Sequence, residues 1–253
     1  MPIVSKKQGP RKYQEFTLPS QGYPYNGTIP GGKIKVHAFN FEVEETLGAK
    51  GDGQEKLNKI IPMICDLPEG FTVGKLLAAD QFFIFLAARS MSFGETYNLS
   101  STCPACGNIE KTDFALPHGL PINTMQPDFD GIVKLTLPES QDDIEIKFLT
   151  VADLKEVSTM AKAMNLDPTD KENPQAYRYT LASHIVSVNG GTDFNLQEAV
   201  EYLSSLDGRD PHVFKDTIDK NQPGVASLID MQCPECGEQY QMQFKMTQKF
   251  FRP

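Results

Sequence analysis

Apolar residues recur along this chain with two periods, every second position in some segments and every third or fourth in others. Lys33 to Val43 alternates and predicts a strand over 33–43. Leu57, Ile60, Ile61 and Ile64 then mark a helical stripe over 54–65, interrupted near Pro62. The segment 79–91 is apolar nearly all round, which predicts a central buried helix ended by Gly94. Alternation returns on both sides of two short turns, Cys103-Pro-Ala-Cys106-Gly107 and Cys233-Pro-Glu-Cys236-Gly237, and each reads as a β-hairpin. Two more strands are predicted over 131–137 and 144–149, joined by Pro138-Glu-Ser-Gln-Asp-Asp143.

Helix starts cluster between the two cysteine turns. Thr150 with Asp153 resembles a capping box, and Val151, Leu154, Val157, Ala161 and Met164 share one face behind it. Asn173-Pro174 and Asp210-Pro211 each place a cap before a proline at the first helical position. Asn195 and Glu198 form another capping-box pattern, and Asp207-Gly208 stops the helix they begin. The expected fold class is α+β: a largely helical insert at 150–222, bracketed by β-hairpins that form a split zinc ribbon with four cysteine ligands. Residues 1–27 are rich in Pro, Gly, Gln and Ser and predict an extended N-terminal arm, with a single globular domain over 28–253.

The duplicated cysteine turn carries the chemistry. One Cys-x-x-Cys turn supplies two thiolates and a tetrahedral ion takes four, so knuckles at 103–107 and 233–237 predict one site of Cys103, Cys106, Cys233 and Cys236. The glycine after each turn allows the chain to leave with positive φ. The spacing departs from a compact ribbon, because 126 residues separate Cys106 from Cys233. That separation adds only about 2 kcal/mol of closure entropy, against about 10–16 kcal/mol from structural zinc in small peptides. Three other readings use the same cysteines: a pair of redox dithiols, disulfides in an oxidising compartment, and iron in a rubredoxin-like cage of four thiolates. Redox dithiols normally sit at a helix N-terminus, whereas Pro104 and Pro234 inside these turns favour a knuckle. Cys65 lies in an apolar stretch and reads as a small core residue.

Composition narrows the classes. Of 253 residues, 40% are apolar and 23% charged, as in ordinary soluble domains. The longest apolar run, Phe82 to Ala88, is too short to span a bilayer, so no membrane partner is expected. No hydrophobic stretch follows the basic N-terminus, so a secretory signal is not expected and a reducing cytosol keeps the thiols available for metal. Lys6, Lys7, Arg11 and Lys12 give residues 1–14 a charge of +4, so the rest of the chain carries −13 within the total of −9. An acidic body argues against nucleic acid as the main ligand. The basic arm is either a contact for an acidic partner or a solvated tail.

Catalytic patterns are absent. No phosphate loop, HExxH, nucleophile elbow or kinase signature occurs. His37, His118, His184 and His212 are scattered without ligand spacing, and Asp142-Asp143 lies in a predicted turn where Asp is common. A site filled by four thiolates has no position for water or a small-molecule substrate. These features predict a protein that is not an enzyme.

The run Leu77-Ala-Ala-Asp80 to Arg89-Ser-Met-Ser-Phe93-Gly94, followed by Cys103-Pro-Ala-Cys106-Gly107, resembles the baseplate hub proteins of T4-like contractile-tailed phages. In that family an Asp opens a hydrophobic helix, an Arg and a Ser-aromatic-Gly turn close it, and a knuckle follows. Leu135-Thr-Leu-Pro-Glu-Ser140, Ile144 to Thr150 and the final Cys233-Pro-Glu-Cys236-Gly237 are similar too. The resemblance covers roughly 30–245, most specifically 77–107. It implies a tail baseplate hub subunit or hub-assembly chaperone, with other phage hub or tail proteins as partners. It would work in the virion or in the host cytoplasm during assembly. The alternative is a zinc-ribbon nucleic-acid or transcription-associated module, which needs basic and aromatic hairpins. Here Lys111 and Lys245 stand among Asn98, Ser100, Glu110, Asp113, Glu238 and Gln241.

Overall fold

A computed structural model describes residues 12–251 other than 128, 167–172, 227, 245 and 247. The architecture is α+β, built around two hydrophobic cores. Strand β1 (Tyr13–Thr17) pairs antiparallel with β2 (Lys33–His37), placing Tyr13 opposite His37 and Thr17 opposite Lys33. The expected arm over 1–27 is therefore corrected from residue 13 onward; residues 1–11, with Lys6, Lys7 and Arg11, lie outside the described residues. Phe16, Leu18 and Tyr25 are buried, so a few well-spaced apolar side chains anchor a segment whose composition is otherwise polar. The Ser20 N–H donates to Asp80 Oδ1 at 3.1 Å, and the Tyr25 hydroxyl donates to Asp80 Oδ2. Tyr25 also accepts from the Leu77 N–H at 3.0 Å. The fully buried Asp80 thus ties the N-terminal segment to the start of the central helix.

The strand expected over 33–43 ends at His37, because Asn40 accepts from the Val43 N–H and starts helix α1 (Phe41–Gly48). Asp52 caps α2 (Gly53–Ile64), which buries Ile60, Ile61 and Ile64. Pro62 does not interrupt α2, since it lies in the last turn, where only one ladder bond is lost. Cys65 follows, its thiol pushed up to about 12 by burial and then by the nearby Asp66 charge. Helix α3 (Ala78–Phe93) runs through the first core with Phe83, Ile84, Phe85 and Leu86 buried. Gly94 ends it at φ 89°, and its carbonyl accepts from Arg89 Nη1 at 3.0 Å.

Two hairpins then bracket the second core. The first is β3 (Thr96–Thr102) with β4 (Ile109–Ala115). Strand β5 (Ile122–Asn123) leads on to β6 (Ile132–Thr136) and β7 (Asp143–Lys147), and β8 (Ile185–Val188) completes a three-stranded antiparallel sheet in the order β6-β7-β8. Helices α4 (Val151–Ala163), α5 (Pro174–Ala182), α6 (Leu196–Ser205) and α7 (Asp210–Asn221) accompany that sheet, and the second core holds Leu137, Ile146, Val157, Tyr179, Phe214 and Ile218. The 150–222 insert is largely helical but also carries β8. Strand β9 (Gly224–Val225) returns to pair with β5. The second hairpin is β10 (Leu228–Gln232) with β11 (Gln239–Gln243), and α8 (Gln248–Phe251) ends the described chain. Each hairpin is its own two-stranded sheet. No helix among the described residues is long and apolar enough to cross a membrane.

Thr150 and Asn195 both form reciprocal capping boxes, with Asp153 and Glu198. Asn173 caps α5. Asp210 is a correction: it lies inside α7, and its buried carboxylate accepts from the Glu139 and Ser140 N–H groups at 2.8 and 2.9 Å. The carboxylate therefore fastens α7 to the β6–β7 turn instead of capping its own helix.

The second core contains a pH-sensitive group. Burial lowers the His184 imidazole to about 4, against smaller opposing effects of the Lys147 carbonyl and Asp153. His184 Nδ1 lies 2.7 Å from the Lys147 carbonyl. Because the folded value is depressed, the unfolded chain takes up the proton first. Stability present above pH about 6.5 is then lost as pH falls toward 4, by up to about 3 kcal/mol. Urea midpoints measured from pH 7 to pH 4 should fall less steeply for His184→Asn than for the natural chain. Parallel slopes would show that this histidine does not contribute.

Candidate metal centre

Both cysteine turns are built by the same backbone bonds. The Cys103 N–H donates to the Asn108 carbonyl at 2.8 Å, and the Gly107 N–H returns to the Cys103 carbonyl at 3.0 Å. The second turn repeats this with Cys233 to Glu238 at 2.8 Å and Gly237 to Cys233 at 2.9 Å. Gly107 and Gly237 leave at φ 74° and 77°, a region where a Cβ is strained. Alternating strands deliver each turn, proline stiffens it, and glycine lets it close tightly.

The turns face each other. Cys103 Sγ lies 3.7 Å from Cys236 Sγ, and Cys106 Sγ lies 3.6 Å from Cys233 Sγ. All four sulfurs lie within 4.8 Å of one another, and none is in a disulfide. A tetrahedral ion with metal–sulfur bonds of about 2.3 Å places its sulfurs about 3.8 Å apart. The donor set fits a divalent, thiophilic ion in both chemistry and spacing. Cys103 and Cys233 are buried, whereas Cys106 and Cys236 are exposed.

Electrostatics separates the sulfurs. The Cys236 backbone N–H, aided by that of Glu235 and by the Cys106 and Cys236 thiols, lowers Cys233 to about 7 against its burial. At Cys236 the Glu238 backbone N–H pulls down, but the neighbouring thiols, led by Cys106, and burial prevail and push it up to about 12. Cys106 is raised as well: the Asn108 backbone N–H and Cys236 oppose the shift, while burial, Cys233 and Cys103 drive it. Cys106 and Cys236 therefore resist deprotonation beside their neighbours, which a cation at the centre would relieve.

Side chains missed by sequence reasoning hold the hairpins in place. Ser101 Oγ and Tyr240 Oη lie 2.8 Å apart across the two hairpins. Leu99, Phe114, Ile229, Met231 and Met242 all pack with the first core. The Tyr97 ring lies 5.7 Å from Phe244, tilted, and 5.6 Å from Phe250, edge-on, joining the first hairpin to the C-terminal segment. The Arg89 guanidinium sits 4.9 Å from the Tyr97 ring, so the C-terminal end of α3 forms the base of this aromatic seam. Alternation could show that Tyr97 and Tyr240 face inward, but not what they would meet.

The remaining candidates are held elsewhere. His37 bonds Asp66 at 2.8 Å, and His118 packs between Phe16 and Phe83 at 6.2 and 5.8 Å. Asp142 accepts from Asn189 Nδ2 and the Tyr202 hydroxyl at 2.7 and 2.8 Å, and Asp143 accepts from Thr136 Oγ1 at 2.6 Å. Both acids brace the β6–β7 hairpin. Among the described residues, the four cysteines are the side chains grouped closely enough to share an ion.

Comparison with known proteins gives one finding. The family described as T4 bacteriophage base plate protein matches residues 15–252, nearly the whole chain. Neither the curated proteins nor the solved structures contain a match.

Proposed function

The chain belongs to the T4 bacteriophage base plate protein family, and from that premise we propose that it is a non-enzymatic baseplate hub subunit or hub-assembly chaperone with one structural zinc. The match across residues 15–252 carries the baseplate reading. The family match supports a role with the phage tail and other tail proteins as partners. The hub role rests on the likeness at 77–107, where Asp80, Arg89 and Gly94 frame α3 ahead of the first knuckle.

The metal reading rests on the four converging sulfurs. Cys103, Cys106, Cys233 and Cys236 would hold the ion, and their charge and softness suit zinc, with iron using the same cage. Four protein ligands fill a tetrahedral ion and leave no position for substrate, which supports a structural role. The ion would staple a hairpin from before the second core to one from after it.

Elemental analysis of the purified protein is expected to give about one zinc per chain, since one cage uses all four thiolates. Cys103→Ser or Cys233→Ser should abolish stoichiometric binding, whereas Cys65→Ser should leave it unchanged. Two ions per chain, or none in fully reduced protein, would refute the cage.

Co-expression with the hub and tail proteins of the same genome should recover a stable complex. Mass spectrometry of purified virions then separates a retained subunit from a released chaperone. Tight binding to DNA or RNA at physiological salt, with no hub or tail protein bound, would overturn the hub reading in favour of a nucleic-acid module.

A further inference from the structure

We propose that the exposed aromatic patch where α1 meets the end of α3 is a docking surface for this chain's own basic N-terminal segment, residues 1–11. Phe41, the first residue of α1, is 74% exposed, and Phe93, the last of α3, is 41% exposed. Phe39 joins the two elements: its N–H donates to Ser92 Oγ at 2.7 Å, and its ring lies 6.1 Å from that of Phe93, edge-on. Carboxylates rim the patch, because α1 carries exposed Glu42, Glu44 and Glu45 and no base. Large exposed rings with a rim of one charge have the composition of an interaction site.

Strand register places the occupant beside this patch. Strand β1 opens at Tyr13, opposite His37 at the end of β2, and His37 Nδ1 lies 3.1 Å from the Lys12 carbonyl. Residues 38–40 then lead from His37 into α1. In an antiparallel pair the chain before Tyr13 and the chain after His37 leave from the same end of the ladder, so residues 1–11 start next to the patch. Fully extended, those residues reach up to about 36 Å. That exceeds the roughly 12 Å length of an eight-residue helix.

Charge and hydrophobicity both match. Residues 1–11 hold Lys6, Lys7 and Arg11 with no acid, and Met1, Ile3 and Val4 lie beyond those bases. The bases suit the glutamates of α1, and the apolar end suits Phe41 and Phe93. Two other acids near the start of β1 are engaged, Asp66 with His37 at 2.8 Å and Glu15 with Lys33 at 3.6 Å. A second copy or another protein would have to bring a like sequence from solution, whereas a tethered segment meets the patch at an effective concentration of about millimolar order. The glutamates also have a purely local use, since acids in a first turn favour the helix dipole. Glu45 lies beyond that turn.

Hydrogen exchange on the full chain tests the docking. The triple variant Lys6→Gln, Lys7→Gln, Arg11→Gln removes the bases and changes no residue of either core. At low salt, residues 41–48 should exchange about threefold faster in the variant than in the natural chain, and the difference should vanish at about 0.5 M salt. Equal exchange at low salt would overturn the proposal and leave the glutamates to the helix dipole alone. Carbodiimide cross-linking of an equal mixture of unlabelled and heavy-isotope protein identifies the occupant. Links from Lys6 or Lys7 to Glu42, Glu44 or Glu45 should join peptides of one isotope. Mixed-isotope links would give the patch to a second copy and overturn the proposal, as would links to other acids alone or no links. Phe41→Ser should lower the yield of the α1 links, and an unchanged yield would overturn the aromatic patch as the surface.

Discussion

Four sulfurs within 4.8 Å of one another, taken from turns 126 residues apart, set the constraint on which one end of this molecule depends. A two-stranded hairpin is marginal in water by itself. Here two such hairpins, each a separate sheet, stand over the C-terminal end of α3 and face each other. An ion shared by their tips would make each hairpin the support of the other. Tyr97, Phe244 and Phe250 would then be sealed beneath a closed cover. The sequence distance between the knuckles costs little, because closure entropy grows only logarithmically.

The second core explains how so long an insert is tolerated. It packs its own three-stranded sheet against α4–α7 and returns the chain through the β5–β9 pair. Backbone bonds from Ala78 to Leu149 and from Val151 to Leu76 join the two parts at the entry to α4. The insert therefore has its own apolar side chains to fold around.

Much of this was readable from residue order, and the remainder fails for identifiable reasons. The knuckles, the apolar α3 and the caps at Thr150, Asn173 and Asn195 depend on local chemistry, which a linear pattern records. Helix α1 was hidden because Phe39, Phe41 and Val43 also fall on every second position, although one residue out of phase with Ile34 and Val36 of β2, past the point where Asn40 takes over as cap. Strand β8 is short and fits a strand only because β7 lies beside it. Asp80 and Asp210 were legible as residues but not in their roles, since their partners lie in Ser20, Tyr25 and the β6–β7 turn. The N-terminal segment looked like an arm because its anchors are few and its bonds are long-range. The four cysteines that the structure brings together were legible in full as a group. The aromatic seam beneath them was not, because packing between distant segments has no sequence period.

Amide hydrogen exchange before and after metal chelation under reducing conditions tests the central claim most directly. The account predicts that residues 96–102, 109–115, 228–232 and 239–243 lose protection together, while the second core around Val157, Tyr179 and Phe214 stays protected. Unchanged protection in the hairpins, or loss in one hairpin alone, would contradict a metal clasp that holds the two against each other.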